Sequence, residues 1–191
     1  MPLIPYADIE ALPADAREAF EKLPRKLNIF RMWANAPACF KHGMRFGGAI
    51  LGRQQLAANL RELVILQVAK LERGAYEWHQ HVPIAEVCGC TKEQIAALEQ
   101  GDFAASCFDA REQALLALSE DVIRNVAASE ENVAQAKAHF SPQEIVEIIC
   151  TCGFYMTVAR LTETLRVEID ASGGMAVLET LVNSTGQPRK S

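Results

Sequence analysis

Residues Ala58–Leu98 read ANLRELVILQVAKLERGAYEWHQHVPIAEVCGCTKEQIAAL. In the first third, apolar Leu60, Leu63, Val64, Leu66, Val68 and Leu71 return at short helical intervals, the pattern of a helix with a wide buried face. Gly74 predicts the break after it, as a C-cap or a hinge. A second helical segment follows over Tyr76–Val87. Thr91–Gln94 (TKEQ) then has the S/T-x-x-E/Q form in which two side chains satisfy two free amides, which opens a third helix.

The same reading extends in both directions. Pro37 predicts the first turn of a helix running to about Leu51. FDAREQALLALSEDVIRNV (Phe108–Val126) is another amphipathic segment, and Ser129 is placed to cap EENVAQAKAHF. Ser141–Glu144 (SPQE) combines a capping serine, a first-turn proline and a glutamate that reaches back. No long alternating stretch suggests a strand. The expectation is an all-α, single-domain bundle of about eight or nine helices. Residues 1–26 form an N-terminal extension and 27–172 the helical domain. Gly173–Gly174 introduces a short last helix and a frayed tail over 173–191.

Composition narrows the function. The chain has 191 residues, 50% hydrophobic and 23% charged, an ordinary globular balance. The net charge of -5 and the lack of a Lys/Arg stripe argue against a nucleic-acid partner. The N-terminus lacks the basic start and apolar run of a secretory signal. The longest apolar segment, Ile145–Leu161, carries Glu147 and Arg160. The uncharged run between them is too short to span a bilayer, so a buried helix and no membrane partner are expected. Six cysteines occur singly or as C-x-C, never as C-x-x-C. They read as free thiols of a reducing compartment, hence a cytoplasmic protein.

Polar chemistry concentrates in Gly74–Glu86, GAYEWHQHVPIAE. On a helix Glu77 and His81 lie four apart and share a face. A carboxylate beside an imidazole orients the ring and raises its basicity, which suits proton transfer near neutral pH. The plain alternative is a solvated ion pair worth about 0.2–0.5 kcal/mol. His79 points elsewhere, and Trp78, Val82 and Ala85 read as core contacts. Pro83 lacks the N–H that would bond the His79 carbonyl, which favours a bend there. Glu77, His79 and His81 are metal-donor types, but i,i+2 histidines diverge on a helix, so no metal is expected. Glu62, on the preceding helix, lies about 18 Å along it from the Gly74 break. Whether it meets His81 depends on how the helices cross.

Several features together resemble the carboxymuconolactone decarboxylase-like, or alkylhydroperoxidase D-like, superfamily. They are R-E-L-V-I-L, then Y-E-W-x-x-H, then T-x-E-x-I-x-A-L as TKEQIAAL presents it. The flanking segments LNIFRMWANAPACFKHGMRF and FSPQEIVEIICTCGFYMTVARLTETLRVEI extend the likeness over Leu27–Ile169. The resemblance implies an all-helical fold assembled as dimers, trimers or hexamers. In the hydroperoxidase branch it implies a glutamate, a C-x-x-C pair and a histidine one turn beyond. The glutamate falls on Glu62 and the histidine on His81. The cysteines fall on Gly74 and Glu77, so the thiol pair is missing and that disulfide cycle cannot run there. The decarboxylase branch lacks the pair and works by acid/base chemistry.

The expectation is therefore a lyase- or isomerase-type enzyme acting on a small anionic compound. His81 would be the general acid/base, Glu77 its orienting partner and Glu62 a relay acid. Tyr76, Arg45 and Arg31 would bind substrate, with Arg61 a further candidate anchor. No cofactor is expected. A thiol peroxidase working through other cysteines, or a non-catalytic helical oligomer, are the alternatives.

Overall fold

The computed structural model describes residues 1–171. The expected helix after Gly173 lies outside these. Among the described residues there are nine α-helices and no strand: α1 Ala14–Glu21, α2 Asn28–Trp33, α3 Pro37–Arg53, α4 Ala58–Leu71, α5 Ala75–Cys88, α6 Lys92–Gln100, α7 Ala110–Asn125, α8 Glu130–His139 and α9 Pro142–Leu165. This is the all-α bundle that the periodicity predicts.

The boundaries follow from local chemistry. The Thr91 and Ser141 side chains each accept from the amide three residues on, and Gln94 and Glu144 reciprocate, closing both expected capping boxes. Asp109 and Glu112 form a third, at the start of α7. Ser129 caps α8 as expected. The break between α4 and α5 differs from expectation. The left-handed residue there is Arg73, at φ 60°, while Gly74 takes φ -74° as the N-cap of α5. Gly74 is thus not required for its conformation. It is required for space, as the site makes clear.

Two helices make the centre. Every residue of α4 from Leu60 to Ala69 is buried. It packs against α5, α6, α7 and α9, so it has no wet face. Arg61, Glu62 and Gln67 are buried with the rest and need partners. Gln67 donates to the Leu116 carbonyl and accepts from Ser119.

Helix α9 is the second. It is longer than the expected apolar run, and by length and composition alone it would suffice to cross a membrane. One face of it packs into the bundle, while Val146 and Ile149 on the other are exposed. It contacts α2, α3, α4, α5, α7 and α8, and buries Ile148, Cys152, Phe154, Tyr155 and Val158. At its far end Arg166 turns the chain back in the left-handed region (φ 53°). Asp170 then accepts from the Asn28 amide (2.9 Å) and the Tyr76 hydroxyl (2.6 Å). This strap ties the segment after α9 to α2 and α5.

Candidate active site

Helix α5 runs unbroken through Pro83 and has a buried face of Tyr76, Glu77, Gln80, His81, Ile84 and Ala85. His79 is exposed, off the polar cluster as its spacing requires. The buried face meets α2, α3 and α9 around a cavity of about 140 Å³. Its walls are mainly apolar: Phe30 and Trp33 from α2, Met44 and Leu51 from α3, Phe154 and Val158 from α9, and the Leu23–Pro24 turn before them. Polar groups come from Tyr76, Glu77, Gln80, His81 and Tyr155.

The partner of His81 is Glu62. His81 Nδ1 lies 2.8 Å from Glu62 Oε2. The other carboxylate oxygen, Oε1, accepts from Arg61 Nε and Nη2, both at 3.0 Å, and Arg61 Nη1 donates to the Leu51 carbonyl at 3.0 Å. Burial alone would push the Glu62 carboxyl up. The His81 ring and the Arg61 guanidinium more than offset this and hold it below the ordinary glutamate value. An ionised carboxylate only accepts, so His81 Nδ1 carries the hydrogen. The lone pair of neutral His81 then sits on Nε2. That nitrogen makes no hydrogen bond among the described residues, on a side chain that lines the cavity.

Glu77, the expected partner, is turned away. Its carboxylate oxygens lie 3.0 and 3.2 Å from Thr162 Oγ1 on α9. The cause is at Gly74. A Cβ there would run into the Glu77 carboxyl and approach Ala159 Cβ to 3.2 Å. The bare glycine lets the third residue of α5 fold back over the helix start. The i,i+4 spacing to His81 is real, but the glutamate rotates along the axis toward its own N-terminus, while α4 brings Glu62 across instead.

Burial raises the pKa of Glu77, outweighing its own backbone amide, Thr162 and His81, and Glu163 adds to the rise. The hydrogen bonds agree. Thr162 Oγ1 also lies 3.0 Å from the Ala159 carbonyl and 3.2 Å from that of Val158. One hydroxyl hydrogen cannot serve two carbonyls and a carboxylate. A protonated Glu77 donating to Oγ1 would leave that hydrogen for one of the two carbonyls.

The expected cationic anchors are elsewhere. Arg31 stacks over the Tyr6 ring and donates to Asn28, Arg45 is exposed on α3, and Arg61 is committed to Glu62. None of the three lines the cavity. Tyr76 does, but its hydroxyl is spent on Asp170. No cysteine lines the cavity either. Burial pushes the Cys88 thiol up to about 11 and those of Cys90 and Cys152 up to about 12. Among the described residues no three or more His, Cys, Asp or Glu side chains are grouped to hold a metal ion.

Two contributors had no signal in the sequence reading. Thr162 and Tyr155 sit in an apolar helix, where a threonine or tyrosine reads as core filler. The α2 wall comes from a segment whose likeness to a known lead-in did not reveal that it faces the polar stretch.

Residues 37–121, from the start of α3 into α7, match the Carboxymuconolactone decarboxylase family. This segment holds Glu62, Gly74, Tyr76, Glu77 and His81. Over that segment the chain is similar to this family, and the rest of the bundle lies outside the match. Solved structures share the fold. A peroxidase-related protein from Ralstonia eutropha JMP134, described as an alkylhydroperoxidase AhpD core, matches with TM-score 0.76 at 18% identity over 93% of this chain and 95% of its own. A peroxidase-related protein from Silicibacter sp. TM1040 matches with TM-score 0.72 at 19% identity, over 88% and 91%. The debrominase Bmp8, in complex with 2,3,4-tribromopyrrole, matches with TM-score 0.71 at 14% identity, over 95% and 98%. At these identities the likeness is one of fold. No curated protein sequence matches the chain.

Proposed function

We propose that the cavity is the active site of an enzyme that moves protons on a small, largely apolar compound. His81 is the acid/base and Glu62 orients it. The supporting observation is the Glu62–His81 bond, which fixes the tautomer and leaves Nε2 as the basic nitrogen on the cavity side. Nε2 takes a proton from the carbon next to a carbonyl, and the electron pair moves onto the carbonyl oxygen as an enolate. The imidazolium then returns that proton to the same or a conjugated carbon, which restores neutral His81. The step is redox-neutral and needs no cofactor.

The lining bears on the substrate. Among the described residues no arginine or lysine lines the wall, so protonated His81 is the one counter-charge they offer a strongly anionic substrate. This favours isomerisation of a neutral carbonyl compound over decarboxylation of a carboxylate. The test is turnover of neutral enones and lactones against their carboxylated analogues, by wild type and His81→Ala. Loss of roughly 10²–10⁴ in kcat is the expected effect of removing a positioned acid/base. Unchanged turnover in His81→Ala would remove the assignment.

The thiol-peroxidase alternative takes support from the names of the structural neighbours. The raised Cys88, Cys90 and Cys152 thiols and the lack of cysteine in the cavity speak against it. The cytoplasmic and homo-oligomeric readings belong here too. Six free thiols favour a reducing compartment. Val146 and Ile149, exposed on the outer face of α9, give an apolar surface for self-association. A monomer by sedimentation would remove the second reading.

A further inference from the structure

Tyr155 stands apart from the other buried hydroxyls. Ser119, Thr151, Thr162 and Tyr76 each have a hydrogen-bond partner in the protein. Tyr155 is 4% exposed, lines the cavity and has no hydrogen-bond partner among the described residues. A hydroxyl sealed in that state is uncommon because it forfeits its bonds to water. Sealed side-chain polar atoms without a partner among the described residues are Gln54 Oε1 and Arg111 Nε. The Tyr155 oxygen is not one of them, so it keeps open space, and the space this residue borders is the cavity.

Its position is set firmly. The ring lies perpendicular to the His81 ring at 4.9 Å between centroids, and to Phe154 at 5.3 Å. Burial, reinforced by the Glu62 charge, keeps the phenol protonated well beyond its ordinary range. The group is therefore a fixed neutral donor beside the acid/base. It comes from α9, outside residues 37–121 that match the family.

We infer that the Tyr155 hydroxyl donates a hydrogen bond to an acceptor oxygen of the substrate, so that the cavity takes flat, apolar carbonyl compounds rather than hydrocarbons of the same shape. The inference rests on the cavity being the substrate site. In the turnover proposed above, this donor would meet the oxygen on which enolate charge develops, next to the nitrogen that takes the proton. Apolar walls and one or two placed donors are the usual composition of a small-ligand site.

The test is a binding measurement, so it stands apart from whether His81 performs acid/base chemistry. Acetophenone and α-methylstyrene share a shape and differ in C=O against C=CH2. Each is titrated into the full chain, read by the fluorescence of Trp33 in the cavity wall or by amide NMR shifts. Wild type is expected to prefer acetophenone by about threefold to tenfold, the range of one neutral hydrogen bond. Tyr155→Phe should abolish that preference and leave α-methylstyrene affinity unchanged. Tyr76→Phe, whose hydroxyl already serves Asp170, should keep the preference.

Equal binding of the two probes by wild type would overturn the inference, whatever the variants do. So would a preference that survives in Tyr155→Phe. Loss of turnover in His81→Ala with no ketone preference would leave the proton-transfer reading standing and remove this one. The reverse pattern would do the opposite.

Discussion

Glu62 Oε2 sits 2.8 Å from His81 Nδ1, nineteen residues apart in sequence and on adjacent helices, and the same carboxylate holds Arg61 through its other oxygen. One fully buried carboxylate therefore serves a structural cation and the proposed acid/base together. Removing its charge should be felt in both roles.

Glu62→Gln tests this. It leaves the Arg61 guanidinium buried without a counter-charge, a change that typically costs about 3–5 kcal/mol. Urea denaturation at pH 7 checks it. The acid limb carries a second signature. Glu62 has a folded pKa below its ordinary value of 4.5, so its stabilisation is present above that value and is lost as pH falls through the lower folded one. Wild type should lose stability in that acid window more steeply than Glu62→Gln. Parallel pH curves for the two would refute the assignment.

Glu77 carries the opposite sign. Its folded pKa is raised above 4.5, so its favourable contribution is full in acid and is lost as pH rises through the folded value. Glu77→Gln, neutral at every pH and still able to meet Thr162, should be more stable than wild type at pH 8. A gain of about 1 kcal/mol corresponds to about 2–4 °C in Tm for a chain of this size. At pH 4 the two should melt together. A Gln variant that is equally destabilised at both pH values would show that Glu77 acts through shape alone.

Gly74→Ala should destabilise the fold, because the new methyl meets the Glu77 carboxyl and Ala159. Much of that cost should vanish in a Glu77→Ala background. The double-mutant cycle then returns a coupling within the roughly 0.5–3 kcal/mol seen for touching residues. Additive effects would mean that the methyl clashes with α9 and not with the carboxyl.

The thiols give a fourth expectation. Cys39 and Cys107 are exposed, and Cys90 and Cys152 are buried with raised pKa values. Native protein should show rapid labelling at the exposed pair and slow labelling at the buried pair at neutral pH. It should also show no rapid consumption of cumene hydroperoxide in the presence of a dithiol reductant. Fast labelling of Cys90 or Cys152, or brisk peroxide turnover, would restore the peroxidase reading.

Helices were legible from the sequence because their signals are local. Capping boxes at Thr91 and Ser141, the proline at position 37 and the spacing through α4 each act within a turn or two. The Asp109 box is of the same kind. The residues gathered at the site were half legible. Glu62, Glu77 and His81 stood out as ionisable groups near an apolar stretch, and Tyr76 does line the cavity. Their pairing was not readable. Helical spacing favours Glu77 for His81, and the actual choice depends on how α4 packs against α5 and on a missing Cβ at position 74. The arginine anchors failed for a similar reason. Charge marks a side chain as a candidate, but only packing says whether it is spent on Tyr6, on Glu62 or on water. Tyr155 and Thr162 were invisible because their significance comes from what lies across the bundle.

The Gly74–Glu77 contact also bears on how such a site changes over evolutionary time. These are the two positions on which the resemblance to the hydroperoxidase branch would place its cysteine pair. Here the residue at 77 occupies volume that any side chain at 74 would need. Coupling of the two positions is expected: a cysteine at 74 meets the Glu77 carboxyl, and a cysteine at 77 alone leaves Thr162 without its acid. A lineage moving between thiol and carboxyl chemistry at this helix start would have to cross a less stable intermediate or change both codons within a short interval.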